Sequence, residues 1–176
     1  MWGAESISGQ SGMYAGLFKQ MQADADENGE KGRKQINKDL YGKMGAEDER
    51  LGWWNRKDAN NKDGGYQQEK FKFSDIQTWM GDYVWMRIEE MYLIAAEASV
   101  RLNKGDAAKY INVLRTRAGA GTVSESQVDL NYVFDEYARE LCGECGRWYL
   151  LKRNAAFETR LAAYNKRAAE HFTKEF

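Results

Sequence analysis

The chain has 176 residues, with 26 lysines and arginines against 27 aspartates and glutamates, a formal charge of −1. That balance gives no electrostatic footprint for nucleic acid or for an anionic membrane surface, so neither is expected as a partner. No run of about 18 apolar residues occurs, so no helix is expected to span a bilayer, and the length suits one domain over residues 1–176 that buries roughly two thirds of its unfolded surface.

Residues 1–80 form the loop-rich part. Eleven of the 17 glycines fall in the first 65 residues, and apolar residues keep no sustained period there, which predicts loops and extended pieces with glycine punctuation. Short helical turns fit residues 14–24 and 37–43. The run FKF at residues 71–73 and the run DYVWM at residues 82–86 alternate briefly and are expected to pair as a small ribbon.

Two chemical signals lie in this part. Asp24, Asp26, Asn28 and Gly29 match the opening of a calcium loop, with oxygen donors at alternate positions and glycine in sixth place. The twelfth position is Gln35, which offers no bidentate carboxylate, so a solvated acidic turn is the favoured reading and no metal is assigned. The second signal is aromatic. Trp53 and Trp54 stand side by side between Gly52 and Asn55, ahead of a polar loop. Adjacent loop residues do not easily both enter a core, so one ring is expected to face water. A flat exposed ring beside Asn, Asp and Arg stacks on the C–H face of a sugar, while polar neighbours bond its hydroxyls. Tyr66 and Trp79 are further candidates, with Trp2 and Tyr14 behind them. The bland alternative is that these rings pin loops to the core.

From residue 81 onward the pattern becomes helical. Ile88, Met91, Tyr92, Ala95, Ser99 and Leu102 recur at helical steps and predict one apolar stripe. Lys104-Gly105-Asp106 supplies a stop and a new start, with Asp106 as cap. Ala107, Ile111, Leu114 and Ala118 carry the next stripe, so the two helices form a hairpin of tetratricopeptide-like length. Thr122–Glu125 and Ser124–Gln127 each fit a capping box ahead of a third helix with Leu130, Phe134, Tyr137 and Leu141 on one face. Trp148 and Leu151 are expected to re-enter the core. Asn154 is expected to cap a fourth helix carrying Phe157, Leu161, Tyr164 and Ala168. The fold class is therefore mainly α, a helical hairpin plus further packed helices behind a segment with little strand.

Charged residues on these helices invite an enzymatic reading, which the pattern disfavours. A glycosidase needs two carboxyls flanking one bond, one of them with a raised pKa. Here Glu97, Glu140 and Glu144 alternate with Arg101, Arg115, Arg117 and Arg147, which predicts structural ion pairs. Glu97 and Arg101 are spaced for a pair on one helix. Glu140 or Glu144 is expected to meet Arg115 or Arg117 across packed helices. Cys142 and Cys145 form a lone C-x-x-C without a second ligand pair, and His171 is the single histidine. Zinc, thioredoxin-like chemistry and nucleophilic triads therefore have no foothold, and no cofactor is expected.

The segments MRIEEMYLIAAEA, INVLRTRAG and YARELCGECGRWYLLKRN, in that order, resemble the C-terminal part of SusD/RagB proteins. Upstream, AEDERLGWW and the run from KFKF to GDYVWMR resemble the segments preceding this hairpin, so the resemblance spans most of residues 48–153. It implies a non-catalytic, surface-exposed glycan-binding lipoprotein of the Bacteroidetes outer membrane. Such a protein passes oligosaccharide to a SusC-like TonB-dependent transporter. The resemblance also implies that this chain is a C-terminal piece, with the lipid anchor on a part not present here. The zero proline count, against roughly nine from ordinary usage, fits that expectation. A tetratricopeptide-like protein-interaction module is the alternative from a different class.

Overall fold

The computed structural model describes residues 2–4, 36–55, 67–71, 82–144, 146–164 and 170. In chain order the elements are β1 (Trp2–Ala4), α1 (Lys38–Tyr41), a 3-10 helix (Glu49–Trp53), β2 (Trp54–Asn55), β3 (Gln67–Gln68) and β4 (Tyr83–Met86). They are followed by α2 (Ile88–Leu102), α3 (Ala107–Arg117), a 3-10 turn (Glu125–Gln127), α4 (Leu130–Glu140), α5 (Gly146–Arg153) and α6 (Phe157–Tyr164). The architecture is mainly helical, with two short antiparallel ribbons at its side. Among the described residues no helix is long and apolar enough to cross a membrane.

α2 and α3 form the expected hairpin, and α4 packs across α2. The turn between them works differently from the sequence expectation. Asn103 takes the left-handed conformation (φ 50°) that ends α2, and Gly105 follows with φ 73°. Asp106 stands at the N-cap position of α3, as expected, but its side chain makes no capping bond; its carboxylate bonds the Ser99 hydroxyl and accepts from Tyr110. The cap comes from Glu125, whose two oxygens accept from the Ala107 N–H (3.0 Å) and the Ala108 N–H (2.7 Å). A carboxylate at this position satisfies orphan donors and complements the positive helix end. Glu125 is thereby taken from the first predicted capping box, whereas the second, Ser124 with Gln127, is formed.

The core gathers Leu93 and Ala96 of α2, Ala107, Ile111 and Leu114 of α3, Val133, Phe134 and Tyr137 of α4, and Leu150 and Leu151 of α5. The α3 and α4 stripes are the ones the periodicity predicts. On α2 the prediction holds for Ser99, which is buried, and for Tyr92, which packs against the core, but fails for Ile88, Met91 and Leu102. Ile88 is 60% and Leu102 65% exposed, and Met91 is exposed as well, while the buried line runs through Leu93, Ala96, Glu97 and Ser99. This helix is apolar on two sides, so periodicity alone does not say which faces the core.

Two further expectations are corrected. The strand at Tyr83–Met86 pairs antiparallel with β1; of the FKF run, Phe71 lies in a bend and residues 72–73 are outside the described residues. The chain after Gly143 (φ 83°) re-forms helix as α5. Asn154 then lies past its end, and its side-chain amide donates to the Leu150 carbonyl (2.8 Å) instead of capping α6. Trp148 stays half exposed, tilted against Phe157 with ring centroids 4.6 Å apart.

Candidate functional site

The site is built on the segment that leads into β2. Gly119 ends α3 with φ 64°, and a Cβ there would lie 3.1 Å from the Glu47 carbonyl oxygen, so a glycine is required by conformation and by contact. Next to it the Glu49 N–H donates to the Ala118 carbonyl (2.8 Å). Residues 47–50 are thus laid against the end of the hairpin. Asp48 caps the 3-10 helix by accepting from the Arg50 N–H (3.0 Å), and the same carboxylate takes the guanidinium in a fork, at 2.9 Å from Nε and 2.8 Å from Nη2.

Arg50 is 1% exposed and its Nη1 crosses to α4, 2.6 Å from Glu136 Oε1 and 3.2 Å from Glu140 Oε2. From there the charges form one continuous network. Arg139 holds the other oxygen of Glu136 at 2.6 Å from Nη2, and Arg115 Nη1 lies 3.7 Å from it. Glu140 Oε1 accepts from Arg117 (2.6 Å) and Arg87 (3.2 Å). Glu144 receives Arg87 at 2.9 Å and Lys70 at 2.5 Å, and Arg117 reaches Glu89 at 2.7 Å. The expected pairing of Glu140 or Glu144 with Arg115 or Arg117 is met by Glu140 with Arg117, while Glu144 takes Arg87 and Lys70, because β4 and the 67–71 segment approach the C-terminal end of α4.

A second cluster surrounds Glu97. Arg101 donates to it at 3.1 Å, Arg153 at 2.6 Å from Nη1, and the Arg153 Nη2 contact is shorter still. Arg147 donates to the Phe134 carbonyl at 3.2 Å. Burial pushes the Glu136 and Glu97 carboxyls up. Arg139 and Arg50 at the first, and Arg153 and Arg101 at the second, outweigh burial and hold both below the ordinary carboxylate range. A general acid requires the opposite shift. Burial also raises Tyr137, beside Glu97, to about 12.

The aromatic pair sits at the edge of this network. Trp54 is buried in a small apolar cluster with Ile36 and Met44, against which Leu40, Leu51 and Cys142 pack. Its Nε1 has no hydrogen-bond partner among the described residues. Trp53 is half-buried, and its ring lies 4.6 Å from the Lys70 ammonium. Of the other aromatic candidates, Tyr14, Tyr66, Trp79 and the Trp2 side chain lie outside the described residues, as do Asp24, Asp26, Asn28, Cys145 and His171. Burial raises the Cys142 thiol pKa, which suits a packing residue. Among the described residues, no group of three or more His, Cys, Asp or Glu is placed to hold a metal ion. Sequence reasoning missed Asp48, Arg50 and Lys70. The arginine of DERLGWW was within view, but nothing in its spacing pointed to an acid 86 positions away.

The fold is thus a helical hairpin crossed by a third helix, with two short ribbons at its side. The chain belongs to the SusD family, whose sequence pattern matches residues 10–176. It is 36% identical over 84 residues to SusD-like protein P2 of Formosa agariphila, covering 41% of this chain and 17% of that protein. Among solved structures it is similar to a SusD-like carbohydrate binding protein from Bacteroides vulgatus. That match has a TM-score of 0.69 and 26% identity, over 87% of this chain and 34% of the other. A SusD superfamily protein from Bacteroides fragilis shares the fold at a TM-score of 0.53 and 21% identity, over 84% and 34% of the two chains. The chain spans about a third of the length of these solved relatives and about a sixth of the curated one.

Proposed function

We propose that this chain is part of a non-catalytic glycan-binding protein at the outer face of the bacterial outer membrane. It is anchored by lipid on the longer protein and passes oligosaccharide to a TonB-dependent transporter. The observation that carries the reading is the match, over 87% of the chain, to a SusD-like protein described as carbohydrate binding. The site chemistry supports it. The buried carboxylates Glu97, Glu136 and Glu140 are each bonded to guanidiniums, which suits architecture and leaves neither member of an acid–base pair poised for hydrolysis. Recognition then falls to the ring-bearing segments, with Trp53 as the described candidate and Tyr66 and Trp79 as further ones in the sequence.

A second reading, a tetratricopeptide-like protein-interaction module, is favoured by the exposed Ile88, Met91, Ile94 and Leu102 on α2. Oligosaccharide binding by the full-length protein separates the two. A calorimetric titration that shows saturable glycan binding, lost on Trp53→Ala, supports the first. No binding to any glycan on an array, together with capture of a peptide or protein by the α2 face, supports the second.

A further inference from the structure

Lys70 is an odd residue to place against the end of α4. A lysine is a flexible, strongly hydrated cation that is seldom buried without a partner. Its ammonium has three N–H donors, and three acceptors surround it: the Glu140 carbonyl at 2.8 Å, the Cys142 carbonyl at 3.3 Å and Glu144 Oε1 at 2.5 Å. The Glu140 carbonyl is one that a helix C-terminus leaves without an intrahelical partner, shared here with Arg87 Nη2 at 3.1 Å, and Cys142 lies just past the helix end. The same ammonium lies 4.6 Å from the centroid of the Trp53 ring and 5.4 Å from that of Phe71. Its neighbour Glu69 donates its N–H to the Trp53 carbonyl at 2.6 Å, extending the β2–β3 ribbon by one bond. One side chain therefore touches the helix end, the acid network and the half-buried indole.

Glu144 does not need Lys70 for neutralisation, because Arg87 already holds both its oxygens, at 2.9 and 3.1 Å. Burial pulls the Lys70 pKa below its ordinary value even though Glu144 opposes that pull. A charge that the network does not require, kept where burial disfavours it, is accounted for by what it positions. We propose that Lys70 is the positioning residue for Trp53: it clamps the 67–71 segment to the C-terminal end of α4 and holds the indole face by a cation–π contact. The link to sugar binding rests on the function proposed above; the clamp itself does not.

The test uses the full-length protein and two variants, Lys70→Met, which keeps the length of the stem, and Lys70→Arg, which keeps the charge. Amide hydrogen exchange is followed in peptides covering residues 53–55 and 67–71 and in peptides of α2 and α3. Lys70→Met is expected to speed exchange about tenfold in the first set, leave the second set unchanged and leave the melting temperature close to the parent's; Lys70→Arg is expected to restore most of the protection. Unchanged exchange at 53–55 and 67–71, or acceleration spread equally through the hairpin, would overturn the clamp. If Lys70→Met does not fold, Glu144→Gln must show the same pattern at smaller amplitude, and its absence counts against the clamp equally. Affinity for malto-, xylo- and cello-oligosaccharides is measured in parallel. Loss on Trp53→Ala and on Lys70→Met, with rescue by Lys70→Arg, joins clamp to recognition. Full retention on Trp53→Ala removes the ring from the proposed function while the exchange result still decides the clamp.

Discussion

Helix α4 has two kinds of neighbour. Through Val133, Phe134 and Tyr137 it meets the aliphatic core of the hairpin, while through Glu136 and Glu140 it meets Arg50, Arg87, Arg115 and Arg117. Both sides are buried, with Glu136 and Glu140 at 0% exposure. The apolar side is held by area and shape, which many side chains of similar volume can supply. The charged side is held by matched directions: forked guanidiniums on fixed carboxylates, each with its bonds filled. It adds little net stability over a well-packed apolar substitute, yet it strongly penalises any arrangement that separates a partner. It therefore fixes which segment docks where, and here it brings residues 48–54 to the end of α4.

That contrast can be broken by near-isosteric changes on each side. Arg50→Met strands Asp48 in the interior and loosens Glu136, and is expected to cost about 3–5 kcal/mol in chemical denaturation. Leu114→Met, equally buried in the apolar core, is expected to cost less than about 1.5 kcal/mol. Equal losses for the two would show that the charged side is no more exacting than the apolar one.

Acid tests the network collectively. Glu136 and Glu97 both titrate below their ordinary value of 4.5, so in the folded chain they release protons more readily than in the unfolded one. Their contribution is complete above about pH 4.5 and is lost as pH falls through their folded values. Stability followed by denaturation at a series of pH values should stay level on this account from neutrality to that point and then drop. A decline beginning well above it would contradict the assignment. The smallest effect is expected at the rim. Arg101 is 44% exposed and shares Glu97 with Arg153, so Arg101→Ala should change stability by less than about 1 kcal/mol.

The apolar half of this comparison was legible in the sequence and the charged half only in part. The hairpin, the α3 stripe and the apolar face of α4 follow from periodicity, which is local. Glu97 with Arg101 was legible for the same reason, being one helical turn apart. Contacts of Arg117 with Glu140 came within reach by helix packing. The α4 partners of Arg50, Arg87 and Lys70 did not, since each lies 53 or more positions from its cation and the periodicity of the cation's own segment says nothing about that partner. On α2, Ile88, Met91 and Leu102 were misjudged because they are as apolar as Leu93 and Ala96. Asp106 was rightly placed at the N-cap, but the capping bonds come from Glu125, arriving from a later turn. As for the candidate site, adjacency of Trp53 and Trp54 said that the two rings would differ in surroundings. The ammonium beside the first and the apolar cluster around the second belong to tertiary structure.

The division of labour between charge and aromatic rings is tested most directly by Glu140→Gln in the full-length protein, measuring thermal unfolding and oligosaccharide affinity on the same sample. A lowered melting temperature with parental affinity below the transition is the predicted result. Parental melting with abolished binding would contradict it, placing Glu140 in the recognition chemistry instead of the framework.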